Sequence, residues 1–179
     1  MGFDDENITV RRKNDNMWTV VGDLVYHGKK DTFTVPDGTE TDFATVPRVA
    51  VWLIPRFGRY TLPAVLHDWL CTEGIRQGRV TSREADGIFR RSMRELRVPV
   101  VRRWLMWTGV RWGALTTPLR RPGWEISAPG VFAISVVAAP VVVPPGLVIL
   151  AALAVYGVVE WIVSPEVRKR PTDAGSLRT

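Results

Sequence analysis

The residues best suited to chemistry fall within Thr61 to Leu96, TLPAVLHDWLCTEGIRQGRVTSREADGIFRRSMREL. This stretch holds His67, one of two histidines in the chain, next to Asp68, together with the single cysteine, Cys71, and an isolated aspartate, Asp86. A carboxylate that accepts one ring N–H of a histidine fixes its tautomer and leaves the other nitrogen as a base toward water. Asp86 would orient His67 in this way, and Asp68 would offer oxygen to a hard cation such as Ca²⁺, which wants several oxygen ligands. The same residues admit two other uses. Cys71 lies one turn after His67, so a His, Cys and Asp set could ligate zinc, although a closed zinc site takes four ligands. A buried aspartate also commonly serves only to satisfy a histidine or a loop N–H.

Two helices must position these groups. Pro63 suits a first helical turn and no breaker follows until Gly74, so a helix entered near Thr61 is expected to stop at Gly74. On a helical wheel Leu62, Val65, Leu66 and Trp69 share one side, and Ala64, His67, Asp68 and Cys71 the other. The second helix opens with Thr81-Ser82-Arg83-Glu84, a capping box, and carries the apolar stripe Ala85, Ile88, Phe89, Met93 and Leu96, with Asp86 at its edge. A short connection favours antiparallel packing, which brings His67 opposite Asp86.

TDFATVPR at Thr41 to Arg48, PAVLHDWL at Pro63 to Leu70 and ADGIF at Ala85 to Phe89, with Met93 following, resemble the phage and prophage family catalogued as domain of unknown function thirteen-fifty-three, over roughly residues 8 to 115. The resemblance implies a phage or prophage source and a small β part preceding a helical part. It brings no activity with it, and Cys71 stands where the family pattern tends to have tyrosine. More distantly, His67-Asp68 followed by Asp86 and Phe89 is similar to the helix pair of bacterial and parvoviral secreted-type phospholipases A2. That similarity implies His67 as the base for water, Asp86 as its orienter, and Asp68 as a calcium ligand completed by a loop near Asp42. TDFATVPR lacks the glycine-rich calcium loop of those enzymes.

With 179 residues and 46% hydrophobic content, the chain can build one domain of about 100 to 130 residues plus an appendage. A net charge of +6 fits a partner with a negative surface, either anionic lipid or nucleic acid. One cysteine excludes an internal disulfide scaffold, and the acidic, polar Met1 to Asn7 does not read as a secretory signal. Ile8–Val10, Met17–Val21, Leu24–Tyr26 and Thr32–Val35 alternate and are rich in β-branched and aromatic residues, with breaks at Asn14-Asp15-Asn16, Gly28 and Pro36-Asp37-Gly38. Three or four short antiparallel strands in a meander are expected. His27 reads as an exposed turn residue and Asp42 as a turn-capping one. Val46 to Phe57 reads as a proline-bounded segment that could roof the His67 face.

Val98 to Leu119 mixes Arg102, Arg103 and Arg111 with Trp104, Trp107 and Trp112. A third helix packed on the first two is the plain reading, and a segment lying at a bilayer interface is the functional one. No nucleic-acid motif accompanies the pattern, so that partner is set aside. From Ile126 to Val159 there is no charged residue. One helix of that length would span about 50 Å, longer than the roughly 30 Å hydrocarbon slab, and Pro140 and Pro144-Pro145 interrupt it. A membrane hairpin turning at Pro144-Pro145-Gly146 is therefore expected. The basic flanks, Arg120-Arg121 and Arg168-Lys169-Arg170, would then both lie on the cytoplasmic side.

The expected architecture is α+β: residues 1–119 a family-type domain, 120–127 a basic, tryptophan-bearing linker, 128–163 the hydrophobic hairpin, and 164–179 a disordered polar tail. The expected function is a membrane-anchored phage or prophage protein, at the host cytoplasmic membrane or in the virion. It would act as a calcium-assisted, phospholipase-A2-like hydrolase, with His67 and Asp86 catalytic and Asp68 and Asp42 on the metal. The alternative is a non-catalytic lysis or virion component, working with other phage proteins, in which the His-Asp-Asp set is structural or binds a metal.

Overall fold

The computed structural model describes residues 2–14, 17–29, 31–43, 50–55 and 57–164. Ala44 to Val49 of TDFATVPR and its continuation, the Asp15-Asn16 turn, Arg56 in the expected roof, and the polar tail with its basic cluster beyond Ser164 lie outside them.

The fold is α+β, with antiparallel strands first and helices after. The strands are β1 (Gly2–Phe3), β2 (Thr9–Arg12), β3 (Trp18–Val21), β4 (Leu24–His27), β5 (Thr32–Val35) and β6 (Glu40–Thr41). They form two three-stranded sheets, β1-β4-β5 and β2-β3-β6, and not the single meander that the even spacing predicts. The reason lies between β3 and β4. Gly22 takes a left-handed φ of +84°, and Asp37 ties the link down by accepting from the Gly22 N–H at 2.8 Å while its own N–H donates to Asp23 at 2.9 Å. The two hairpins therefore separate, and β3 pairs with β6 instead, Trp18 opposite Thr41. That pairing carries Thr41 and Asp42 to the helices. Val20, Leu24, Tyr26, Phe33 and Val35 point inward with the period of two that a half-buried strand requires, and cluster with Val65, Leu66, Trp69 and Leu70.

Helix α1 (Thr61–Trp69) runs directly into a π-helical turn at Leu70–Gly74. Gly74 does not end it. The chain stays helical to Arg76 and leaves at Gly78, whose φ of +66° suits a residue without a side chain. What Gly74 permits is close approach, since a Cβ there would sit 3.2 Å from Leu70 and 3.3 Å from Val80. The wheel expected one apolar face. In the structure α1 is buried nearly all round, because the sheets cover one side and α2 (Ser82–Glu95) the other.

Tyr60 and Ala64 cluster with Phe89 and Met93, while Leu70 and Cys71 cluster with Val80, Ala85 and Ile88, so the two helices run antiparallel as expected. The capping box is formed, with the Glu84 N–H donating to Thr81 Oγ1 and the Thr81 N–H to Glu84 Oε2. Helix α3 (Val100–Gly113) packs on α2, and short turns at Ala114–Thr116 and Pro118–Arg120 lead to α4 (Trp124–Val163).

The chain divides into two compact units, residues 1–139 and 140–179. In the first, the opening turns of α4 belong to the core: Val131 is fully buried, Ser127 is buried, and Phe132 joins Trp112 and Trp124 in an aromatic cluster. The linker expected at 120–127 and the first residues of the expected hairpin are thus domain material. In the second unit the helix continues through Pro144-Pro145-Gly146, where a reversal was expected. A proline removes one N–H and tilts a helix locally, whereas a reversal takes several residues out of helical geometry, and Val136 to Val155 around this point has no polar side chain to satisfy the backbone groups so freed. Val141, Leu147, Val148, Val155, Val158 and Ile162 along it are all exposed. By length and composition, this helix is sufficient to cross a membrane.

Candidate functional site

His67 and Asp86 meet where the antiparallel pair places them. His67 Nε2 is 2.6 Å from Asp86 Oδ1, and the ring lies against Phe89 with centroids 4.7 Å apart. Cys71, one turn on and inside the π-helical turn, brings its sulfur to 3.2 Å from the same Nε2. A relay from a cysteine nucleophile through histidine to aspartate needs the two partners on different ring nitrogens. Here both address Nε2, so the three do not form such a relay.

The sequence reading missed what else holds Asp86. Arg111, from α3, donates to Asp86 Oδ2 at 2.8 Å, and Arg120, from the turn after α3, donates to Oδ1 at 2.7 Å. Arg111 is itself fully buried and bound on all sides: Nε to Ser127 Oγ at 2.9 Å, Nη1 to Ser82 Oγ at 3.3 Å, and Nη2 toward the Gly123 carbonyl at 3.5 Å. Arg120 also reaches the Val110 carbonyl at 3.2 Å. One carboxylate thereby joins α1, α2, α3, the following turn and the first turn of α4. Arginine suits this because its planar fork offers several donors at fixed angles.

Charge follows the geometry. Burial by itself would raise the Asp86 carboxyl, but the His67 hydrogen bond and charge, with Arg120 and Arg111, outweigh it and hold the group below the usual carboxylate range. Burial would likewise lower His67, yet its charge interaction and hydrogen bond with Cys71 and its hydrogen bond to the Asp86 carboxylate outweigh it and push the ring up to about 10. At neutral pH the ring is an imidazolium. It donates rather than accepts, and three cationic groups surround one carboxylate.

Asp68 points elsewhere. Its Oδ2 accepts from the buried Thr41 hydroxyl at 2.6 Å, and Thr41 Oγ1 in turn accepts from the Phe43 N–H at 3.0 Å. Phe43 takes a positive φ of 65°, a strained value for a bulky side chain. Burial, only partly opposed by the Thr41 hydrogen bond and aided by the charge of Asp42, raises Asp68 to about 6. The structure thus brings Asp68 to the TDF segment through Thr41, with Asp42 alongside. His27 is exposed at the end of β4, 2.8 Å from Asp4, and takes no part.

Among the described residues, His67, Cys71 and Asp86 form the group of potential metal ligands within 4.8 Å of one another. Imidazole and thiolate favour zinc over calcium. Ligands on tetrahedral zinc sit roughly 3.4 Å apart, given bonds near 2.1 Å. The 2.6 Å between Nε2 and Oδ1 is instead a hydrogen bond, and both Asp86 oxygens already face arginine. The set fits a hydrogen-bonded ion cluster better than a metal site.

The signal that could have found Arg111 is weak. It lies on the stripe Val100, Trp104, Trp107, Arg111, at spacings of four, three and four, which α4 covers only toward its end. No curated protein and no solved structure matches the chain. Residues 18–110, which include His67, Asp68, Cys71 and Asp86 and stop just short of Arg111, match a family described as protein of unknown function (DUF1353), and the chain belongs to that family.

Proposed function

We propose that this chain is a membrane-associated phage or prophage protein in which the His67–Asp86–Arg111–Arg120 cluster is a structural joint. The joint would hold the helical domain rigid, in a lysis or virion assembly with other phage proteins. The observation that carries this reading is the saturation of Asp86, which is 0% exposed, gives both oxygens to arginine and shares one with His67. A base-orienting aspartate works by favouring the charged form of its histidine during turnover. Here two permanent cations hold that carboxylate and the ring is already charged at neutral pH.

Membrane association rests on the exposed apolar length of residues 140–163, since a soluble monomer rarely leaves so long an apolar surface uncovered. A single crossing would put the two ends of α4 on opposite sides, so the expectation of both flanks in the cytoplasm is not carried forward. Arg120 and Arg121 are also engaged within the domain, by Asp86 and by the Leu115 carbonyl.

A second reading, a phospholipase-A2-like hydrolase using calcium, is favoured by one observation. The His67–Asp86 hydrogen bond across an antiparallel helix pair, with Asp68 next in sequence and Asp42 nearby, is the arrangement a base, its orienter and a cation ligand require. One assay separates the two readings. Purified full-length protein with excess Ca²⁺ is mixed with anionic vesicles, and released fatty acid is measured alongside His67→Asn. The joint reading expects no release from either protein. Release by the parent that His67→Asn abolishes, with folding kept, would replace it with the hydrolase.

A further inference from the structure

The stripe Val100, Trp104, Trp107, Arg111 changes character along α3. At Arg111 it is sealed by the start of α4, but Val100, Val101 and Trp104 are exposed, Val101 at 70%. Beside them Arg90, from α2, lies over Trp104 with its guanidinium 4.1 Å from the ring centroid, and 5.5 Å from that of Trp107. The two rings meet edge to face at 5.6 Å. Arg94 and Arg103 stand close enough for their charges to act on Arg90, and among the described residues none of the three is ion-paired with a carboxylate. Aliphatic and indole surface rimmed by unneutralised arginine is the composition of a segment at the headgroup level of an anionic bilayer.

We propose that the α2–α3 face formed by Val100, Val101, Trp104, Arg90, Arg94 and Arg103 docks on the surface of an anionic lipid bilayer. The inference rests on the membrane association proposed above and adds the domain surface that faces the lipid. Charge complementarity selects an anionic partner, and the aliphatic pair selects lipid over nucleic acid, since Val100 and Val101 offer bases neither a stacking plane nor a hydrogen bond. The guanidinium of Arg90 is held by the rings, so the rotamer entropy lost on meeting a phosphate is already partly spent.

The test uses the full chain with zwitterionic vesicles and with vesicles containing anionic lipid, each carrying a brominated acyl chain that quenches buried tryptophan. Trp104→Phe identifies the share of quenching due to that ring. The expected result is Trp104 quenching on anionic vesicles only. It should fall about twofold or more in Arg90→Gln/Arg94→Gln/Arg103→Gln and in salt of about 0.5 M, since the attraction of basic residues to an anionic surface is screened within a few ångström at high salt.

Equal Trp104 quenching on both vesicle types, or none on either while the protein still floats with vesicles, overturns the docking face and leaves membrane association standing. Failure to float with any vesicle overturns both. An arginine-dependent shift of a labelled single-stranded oligonucleotide, with no effect of lipid charge, assigns the face to nucleic acid and overturns the proposal. Far-UV circular dichroism and a thermal melt of the triple variant confirm that its fold is intact.

Discussion

Two sets of arginines on neighbouring helices have opposite fates. Arg111 and Arg120 are drawn inside the domain, where Asp86 accepts from both, whereas Arg90, Arg94 and Arg103 have no carboxylate partner among the described residues, and Arg90 lies over Trp104. Side-chain chemistry is the same in both sets. The difference is a carboxylate that cannot reach water: a buried Asp86 must be neutralised, and each arginine that reaches it trades its own desolvation for a short, charge-assisted bond. Where no such carboxylate is in reach, as at Arg90, the guanidinium covers an aromatic face instead. The inner set ties three helices and the start of α4 together, whereas the outer set makes no such tie.

The sharpest way to break this comparison is to exchange the outcomes. Asp86→Ala leaves three cationic groups facing each other without their carboxylate. Removing one partner of a buried ion pair costs about 3 to 5 kcal/mol, to be read from the urea midpoint. Arg103→Gln should stay within about 0.5 kcal/mol of the parent, as surface changes do. Equal losses in the two variants would mean that burial of the cluster does not govern its energetics.

Truncation probes the same joint from α4. Deletion of residues 126–179 removes Ser127, which accepts from Arg111, and the fully buried Val131, and should cost about 2 to 4 kcal/mol or cooperativity itself. Deletion of residues 140–179 spares both. It should move the protein from the membrane to the soluble fraction with its thermal melt preserved, and a melt lost equally in both truncations would show that the second unit is part of the core.

His67 supplies a pH test. Its pKa rises from the ordinary 6.5 to about 10 on folding, so its stabilising contribution is fully present below about pH 6.5 and is lost as pH climbs toward 10. The parent should therefore lose stability over that window, and His67→Asn should flatten the slope. An unchanged slope would remove His67 from the inner set.

Asp68 shares the pH direction of His67, but its substitution should have a smaller effect than Asp86→Ala and the opposite sign, stabilising the protein. An acid raised from 3.8 to about 6 by folding favours the native state at low pH, and that advantage disappears as pH rises through 6. Asp68→Asn can still accept from Thr41 and should stabilise the protein by about 1 to 2 kcal/mol at pH 8, following the worth of a pKa unit. Calcium that instead raises the parent's melting temperature through Asp68 would return the carboxylate to a ligand's work.

Much of this was legible before any fold was seen, because local patterns carry it. The capping box at Thr81 to Glu84 depends on residues three apart, the inward alternation of Leu24, Tyr26, Phe33 and Val35 on a period of two, and the His67–Asp86 contact on two wheels joined by a short loop. What failed were readings in which local signals compete with long-range ones. Gly74 and Pro144-Pro145 look like stops, yet the first serves close packing against Val80 and the second is absorbed within α4. Even strand spacing suggested a meander, yet Asp37 clamps the β3–β4 link and separates the hairpins.

The sequence by itself determined which residues are apolar, where strands β2 to β5 and helices α1 and α2 lie, and that one histidine and one aspartate would share a helix pair. Family membership was also readable from its motifs, since those are contiguous stretches of chain. Only the tertiary structure decided which of the many arginines would close on Asp86 and that Thr41 rather than Asp42 would bond Asp68. The physical reason is separation. Arg111 lies 25 residues from Asp86 and Arg120 lies 34, and no periodicity reaches so far. A buried charge is answered by whichever cation the packing of α3 and α4 delivers, and packing is a property of the whole fold.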